Sequence, residues 1–406
     1  MRTNVWKNWL LGGTLLAAAS CSNPKEGQMG TYRYDADFLR QNGIEYKELV
    51  SADGQSKVMV IPAWQGRVMT TSASGDEGDS YGWINYRFVK EGKVSPQFNP
   101  VGGEERFWLG PEGGPFSLYF AQGKEQVYAN WVVPPVLDTE AFDVKAQTET
   151  FILFVKKARL ANASGTVFDM DIERRVELLD RESFARDFGI QPAAEVKMVG
   201  YQSENKITNT GAEAWTKETG LVSIWMLGCF NPTPTTTVFI PYNEEAEGKV
   251  VNDTYFGKIP SDRLKAENGV LYFKIDGKYR SKLGLPAGRA TGLCGSYDSE
   301  KGVLTILWCS LPQTPAAYVN GQWGPQEDPF DGDVINSYND GPVEDGSIMG
   351  PFYEIETSSP GAELAPGESM VHVQKVIHLQ GNDEQLAPIV KKVFGADLSV
   401  IRSKFQ

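Results

Sequence analysis

Two glutamates and two histidines lie near one another towards the end of the chain: Glu354 and Glu356 in Phe352-Tyr-Glu-Ile-Glu-Thr357, then His372 and His378 in Val371-His-Val-Gln-Lys-Val-Ile-His-Leu-Gln380. At the strand period of two, Glu354 and Glu356 share a face about 6.6 Å apart. His372, Gln374, His378 and Gln380 likewise share a face of the following strand, with Val371, Val373, Ile377 and Leu379 on the other. Two carboxylates this close raise the pKa of one of them towards neutrality, and an imidazole titrates there unaided. The four side chains are therefore candidate catalytic residues for general acid–base chemistry. The chain has only two histidines, and both stand on that polar face. Plain solvent exposure also produces a polar strand face, so a surface role fits the same pattern.

Two further segments carry binding chemistry. Gly102 to Pro115 sets Arg106, Trp108 and Glu112, with Glu104 and Glu105, among glycines that let backbone come close to a ligand. An arginine fork suits hydroxyl oxygens and an indole face suits the apolar side of a pyranose, so Arg106, Trp108 and Glu112 are candidate sugar contacts. A tight turn closed by an Arg–Glu pair would use the same residues. From Trp308 to Pro342 the chain is rich in amides, carboxylates and aromatics and reads as a long ordered excursion whose length suggests function, with Asn336 and Tyr338 as candidate substrate contacts. Its Asp and Asn side chains would also suit a calcium ion, although no EF-hand spacing is present. No other cofactor or metal is expected: there is no C-x-x-C pair, and two histidines six apart form no zinc signature.

The elements that must position these residues are mostly strands. Short β-prone runs bounded by Gly, Pro, Asn and Asp recur along the chain, among them Lys57 to Pro62, Arg67 to Ala73, Ile84 to Val89, Phe116 to Phe120, Thr150 to Ala158, Val167 to Glu177, Val196 to Thr208, Leu221 to Met226 and Val303 to Cys309. Helical signals are confined to the segment from Tyr34 and to Asp383 to Phe394, where Leu386, Ile389, Val390 and Val393 form one stripe. The pattern predicts an all-β chain, a large antiparallel β-supersandwich with a few short peripheral helices. Residues 31–406 show no composition break and no repeat, and are expected to form a single domain ending in helix 383–394.

Residues 1–20 place Arg2 and Lys7 before an apolar run and the small residues Ala17-Ala-Ala-Ser20, the layout of a secretory signal peptide. Cys21 follows as in a bacterial lipobox, with Ala18 where leucine usually stands. Lipidation of Cys21, a tether over 21–30 and a lipid-anchored location at the cell envelope of a Gram-negative bacterium, on the outer membrane or periplasmic face, are the resulting expectations. The formal charge of −13 argues against nucleic acid as a partner. Cys229, Cys294 and Cys309 sit in apolar, strand-like surroundings and read as buried core thiols.

The strand-rich plan, the segments Asn205-Lys-Ile-Thr-Asn209-Thr-Gly211 and Met226-Leu-Gly-Cys-Phe230-Asn231-Pro232, and the closing Glu354-Ile-Glu356 and Leu364-Ala-Pro-Gly-Glu368 resemble the galactose mutarotase-like (aldose 1-epimerase) superfamily. More closely, the run Phe107-Trp-Leu-Gly-Pro-Glu-Gly-Gly-Pro115 resembles a lipoprotein branch of unknown function. The resemblance covers most of residues 35 to 381. It implies a carbohydrate ligand held on a concave sheet face. In that superfamily a histidine three positions before the Phe-Asn pair is the general acid on the ring oxygen. That position here is Leu227, which has no proton to donate. The family's late-strand glutamate base corresponds by region to Glu354 or Glu356, and its sugar-binding arginine to Arg106. Three roles follow: carbohydrate binding alone, an epimerase-, mutarotase- or lyase-type enzyme on a sugar or uronate with acid and base relocated among Glu354, Glu356, His372 and His378, or a non-catalytic module for protein contacts.

Overall fold

The computed structural model describes residues 28–406. The expected leader, the lipidation position Cys21 and the tether as far as residue 27 lie outside the described residues.

Strands β1 (Lys47–Val50), β2 (Lys57–Ile61) and β3 (Arg67–Ser72) form a small antiparallel sheet packed beneath helix α1 (Tyr32–Gln41). Then follow α2 (Tyr86–Glu91), β4 (Arg106–Gly110), α3 (Pro135–Asp138), β5 (Asp143–Gln147), β6 (Phe151–Ala161) and β7 (Val167–Leu178). The middle of the chain gives α4 (Arg181–Phe188), β8 (Lys197–Asn209), β9 (Ser223–Phe230), β10 (Thr236–Pro241), β11 (Leu264–Glu267), β12 (Val270–Lys274), β13 (Ser281–Pro286), β14 (Leu293–Asp298) and β15 (Val303–Cys309). β16 (Asp333–Asn339), β17 (Tyr353–Ser358), β18 (Ser369–Gln380), α5 (Asp383–Phe394) and α6 (Leu398–Ser403) complete it.

A ten-stranded sheet runs β11-β12-β10-β14-β15-β18-β8-β7-β6-β5, and a five-stranded sheet runs β13-β16-β17-β9-β4. Every ladder is antiparallel, including the long β6–β7 and β8–β18 pairings. The sheets face each other across a core built from alternate residues of each strand. Phe107, Leu109, Ile224, Met226, Ile335 and Ile355 come from the small sheet, and Phe154, Ile172, Val176, Ile207 and Val376 from the large one. The outer face of the large sheet carries Met198, Ile377 and Leu379, which α5 covers with Leu386, Ile389 and Val390. Helix α5 starts on a capping box, Asn382 with Gln385, and stops at Gly395 in the left-handed region.

Three sequence expectations change. Ile84 to Val89 is not a strand: Asn85 caps a helix by accepting from the Phe88 N–H, and Gly92 at φ 61° closes it. That local capping outweighs the β-prone composition. Phe116 to Phe120 is a chain of bends, its backbone held by Ser117 and by the Leu118 bond to the Pro111 carbonyl. The excursion after β15 ends earlier than expected, because residues 333–339 pair on both sides as β16.

Candidate functional site

The inner and outer faces of the five-stranded sheet divide the candidate residues. Across the ladders, Arg106 pairs with Leu227, Leu227 with Glu356, and Glu356 with Asn336. One step along, Cys229 pairs with Glu354, Glu354 with Tyr338, and Tyr338 with Lys282. One step the other way, Trp108 pairs with Trp225, and Trp225 with Ser358. Because paired residues share a face, these three rows form one surface on the side away from the inter-sheet core. The predicted contacts Arg106, Trp108, Asn336, Tyr338, Glu354 and Glu356 are thus brought together by pleat and register alone. Glu112 joins them from the turn after β4.

At the centre is a cluster of three carboxylates and two cations. Glu356 is fully buried, and its Oε2 accepts from Lys282 Nζ and from Trp225 Nε1, each at 2.9 Å. Its Oε1 is buried with no protein partner. Lys282 is 13% exposed. Burial works against its charge, but Glu356, Glu112 and Glu354 outweigh that and raise its pKa. Glu354, 12% exposed, lies 3.5 Å from an Arg106 Nη and accepts from Cys229 Sγ at 3.2 Å. Burial, with Glu356 adding its negative charge, lifts the Glu354 carboxyl to about 7, against the pull of Arg106 and Lys282. Burial also raises Glu112, although Lys282 lies close by. Burial pushes the Cys229 thiol well up, and Glu354 adds to it.

Aromatic rings frame the cluster. The Arg106 guanidinium stacks 3.9 Å from the Trp108 ring centroid, and Trp108 Nε1 donates to the Leu137 carbonyl at 3.0 Å. The indole face expected to meet a pyranose is therefore covered by the arginine, which it orients. The Arg106 Nε is buried without a partner. Arg67 in β3, fully buried beside Arg106, donates to the Gly102 carbonyl and to Gln65 Oε1, and burial followed by Arg106 lowers its pKa to about 9. Asn336 Nδ2 donates to the Tyr255 hydroxyl and to the Leu283 carbonyl. From the loop between β15 and β16, Trp323 reaches Glu112 and stacks on Trp131 at 6.2 Å. That approach needs Gly113, because a Cβ there would sit 2.2 Å from the Gln322 carbonyl oxygen.

The two histidines are elsewhere. His372 and His378 are buried in β18 on the side facing the small sheet. The Thr357 hydroxyl donates to Gln374 Oε1 at 2.6 Å, so it accepts from His372 Nε2 at 2.9 Å. Burial lowers the His372 pKa to about 4, which keeps the ring neutral. His378 contacts Thr305 through Nδ1 and Glu104 through Nε2, under the stacked ring of Tyr81. Thr357 points into the core while Glu354 and Glu356 point out of it, so the body of the small sheet separates both imidazoles from both glutamates. The polar face of β18 is an interior polar stripe.

Lys282, Trp225, Cys229, Tyr255 and Arg67 were not anticipated. Lys282 carries the clearest signal, a lone charge inside the apolar run Ser281-Lys-Leu-Gly-Leu-Pro286. Three carboxylates of the segment that would also suit calcium make hydrogen bonds within the protein: Asp333 with Tyr255 and Asn252, Asp340 with Tyr338 and the Gly350 N–H, and Asp328 with the Phe330 N–H. Among the described residues no three His, Cys, Asp or Glu side chains converge as metal ligands.

The pattern is matched over residues 30–405 by the model of the family of unknown function DUF6786. The chain belongs to that family. Curated proteins gave no match to this DUF6786 chain. Among solved structures it is similar to a candidate aldose 1-epimerase from Escherichia coli K12, at 14% identity over 83% of this chain and 99% of that one, with a TM-score of 0.48. It is similar to the Slr1438 protein from Synechocystis sp. PCC 6803, at 11% identity over 83% and 96%, with a TM-score of 0.51. A galactose mutarotase-like protein from Lactobacillus casei matches at 11% identity over 82% and 100%, with a TM-score of 0.47. At such identities the likeness concerns fold alone, and the Synechocystis structure carries it. The DUF6786 chain shares its antiparallel two-sheet fold with that structure. Leu227 lies on the site face directly between Arg106 and Glu356.

Proposed function

We propose that this protein binds a carbohydrate on the outer face of the five-stranded sheet, at Arg106, Glu112, Lys282, Glu354 and Glu356. The mutarotase-like fold suggests a sugar-related role, and the site chemistry supports it. The observation that carries the reading is the gathering of three carboxylates and two cations on one face, with Glu356 Oε1 and Arg106 Nε buried and unpartnered. Buried polar atoms without protein partners are uncommon, and sugar hydroxyls, which both donate and accept, match both. The leader-like N-terminus and Cys21 support a cell-envelope location with a lipid anchor.

Glu354 favours a second reading, in which the bound sugar also exchanges protons. A carboxyl with a pKa of about 7 keeps its proton in about half of the molecules at neutral pH, and the neighbouring Glu356, paired with Lys282, is placed as a base. Glu354 would then donate the proton that Leu227 cannot. The test of both readings is a thermal-shift screen of the full mature chain against mono- and oligosaccharides, followed by an anomer-interconversion assay on each hit. Stabilisation lost in Arg106→Ala and Lys282→Ala supports binding, and no stabilisation across the panel refutes it. Acceleration by wild type that disappears in Glu354→Gln supports catalysis; binding without acceleration leaves a binding protein.

A further inference from the structure

The rows of the site face do not end at Glu354. Beyond the row Cys229-Glu354-Tyr338-Lys282, the next positions along the strands are Phe352, Asp340 and Arg280. Phe352 is tilted against Tyr338 at 5.7 Å and stacks on Trp83 at 4.5 Å. Over them hangs Phe256, from the segment that also supplies Tyr255. Its ring meets the Tyr338 ring edge-on at 5.8 Å, and the Arg280 guanidinium lies 3.7 Å from its centroid. Arg280 Nε donates to the Tyr338 hydroxyl at 3.3 Å, and that hydroxyl donates to Asp340 Oδ1 at 2.9 Å.

The two ends of this strip differ. At the tryptophan end, Trp108, Trp131 and Tyr119 pack together with little exposure. At the other end, Phe256 is 44% exposed and Tyr279 is 42% exposed. Rows are two residues apart along a strand, so three steps from Trp225 to Phe352 span about 20 Å. That exceeds one pyranose ring. Arg280 covers part of the Phe256 ring as Arg106 covers Trp108, but Phe256 stays 44% exposed where Trp108 is 3% exposed. That open ring surface beside a guanidinium and a hydroxyl–carboxylate relay is chemistry that receives a sugar's apolar face and its hydroxyls together.

Resting on the carbohydrate reading above, we propose that the ligand is an oligosaccharide: one glycosyl unit occupies the Arg106–Glu354–Glu356 cluster and the next lies on the Phe256–Tyr338–Arg280 shelf. The closed tryptophan end makes the inserted unit a chain terminus, and the remainder of the chain leaves over Phe256 into solvent.

The experiment is calorimetric titration of the full mature chain with glucose and galactose and with the corresponding linear di- and trisaccharides. Wild type, Phe256→Ala and Arg280→Ala are compared. Both substituted side chains are exposed, so folding is retained and is checked by Tm. The expected result is that a trisaccharide binds at least about tenfold more tightly than its monosaccharide, and that Phe256→Ala removes that advantage while leaving the monosaccharide Kd unchanged. Equal affinity for mono- and trisaccharide, or an advantage that survives both substitutions, overturns the shelf while leaving the sugar site intact. Failure of every saccharide to bind overturns the site itself, and the shelf with it.

Discussion

Glu354 and Glu356 are two residues apart on one strand but differ in what they touch. Glu356 is pinned by Lys282 and Trp225, whereas Glu354 has a weak 3.5 Å contact with Arg106 and a thiol for company. The same burial therefore yields an anchored carboxylate and a titrating one. A folded-state pKa raised from 4.5 to about 7 has a definite sign. Below pH 4.5 the group is protonated in both folded and unfolded chains; as the pH rises towards 7, the unfolded chain ionises first and stability is lost. Between those limits wild type should lose on the order of 2 kcal/mol relative to Glu354→Gln, read from denaturant midpoints at fixed pH. A difference that is flat or runs the other way would show that Glu354 is not the neutral-pH carboxyl.

Among the elements, β4 and the turn that follows it do most to assemble the site, since they deliver Arg106, Trp108 and Glu112 within one short stretch. The turn is tied to the loop between β15 and β16, where Gln126 accepts from the N–H groups of both Gly114 and Gly324. Gly113→Ala would put a methyl group against the Gln322 carbonyl, and backbone cannot yield as a flexible side chain does. The expected outcome is a loss of roughly 1–3 kcal/mol and faster proteolysis within residues 310–332. Unchanged cleavage would separate that loop from the turn. Sequence periodicity found most of the long strands, because each buries one face and alternates cleanly. It missed β13, β14 and β16, whose Gly, Ser, Asn and Asp residues read as turn formers, although the strands are buried on both faces. It also assigned the polar face of β18 to chemistry, because alternation shows that residues share a face but not which sheet lies against it. Glu354 and Glu356 were recognisable as a pair. Lys282 is visible as a lone charge in an apolar run, but its pairing is not, since its partner is set by register between strands more than 70 residues apart, Lys282 to Glu356.

At the scale of the whole molecule, the site face can be polar because the opposite face of the same small sheet is locked to its neighbours. The lock is itself polar. Arg174 in β7 donates from Nε to the Gly66 carbonyl beside β3, from one Nη to Asn205 Oδ1 in β8, and from the other to Glu105 Oε1 at 2.7 Å. Glu105 Oε2 accepts from Ser203 in β8 and from Gln374 in β18, and Gln374 leads on to Thr357 in β17 and so to His372. One network therefore joins all three sheets, with both members of its ion pair fully buried. Removing either charge alone strands the other in a dry interior, which typically costs about 3–5 kcal/mol, whereas replacing the pair with apolar side chains of similar volume costs far less. The expected result is strong destabilisation in Arg174→Met and in Glu105→Leu, with the double variant clearly more stable than the sum of the two losses. If the two losses simply add, the arginine and the glutamate act independently and the sheets are held by apolar packing alone. Because this network lies on the far side of the sheet from Glu354 and Glu356, the double variant should also retain whatever saccharide wild type binds.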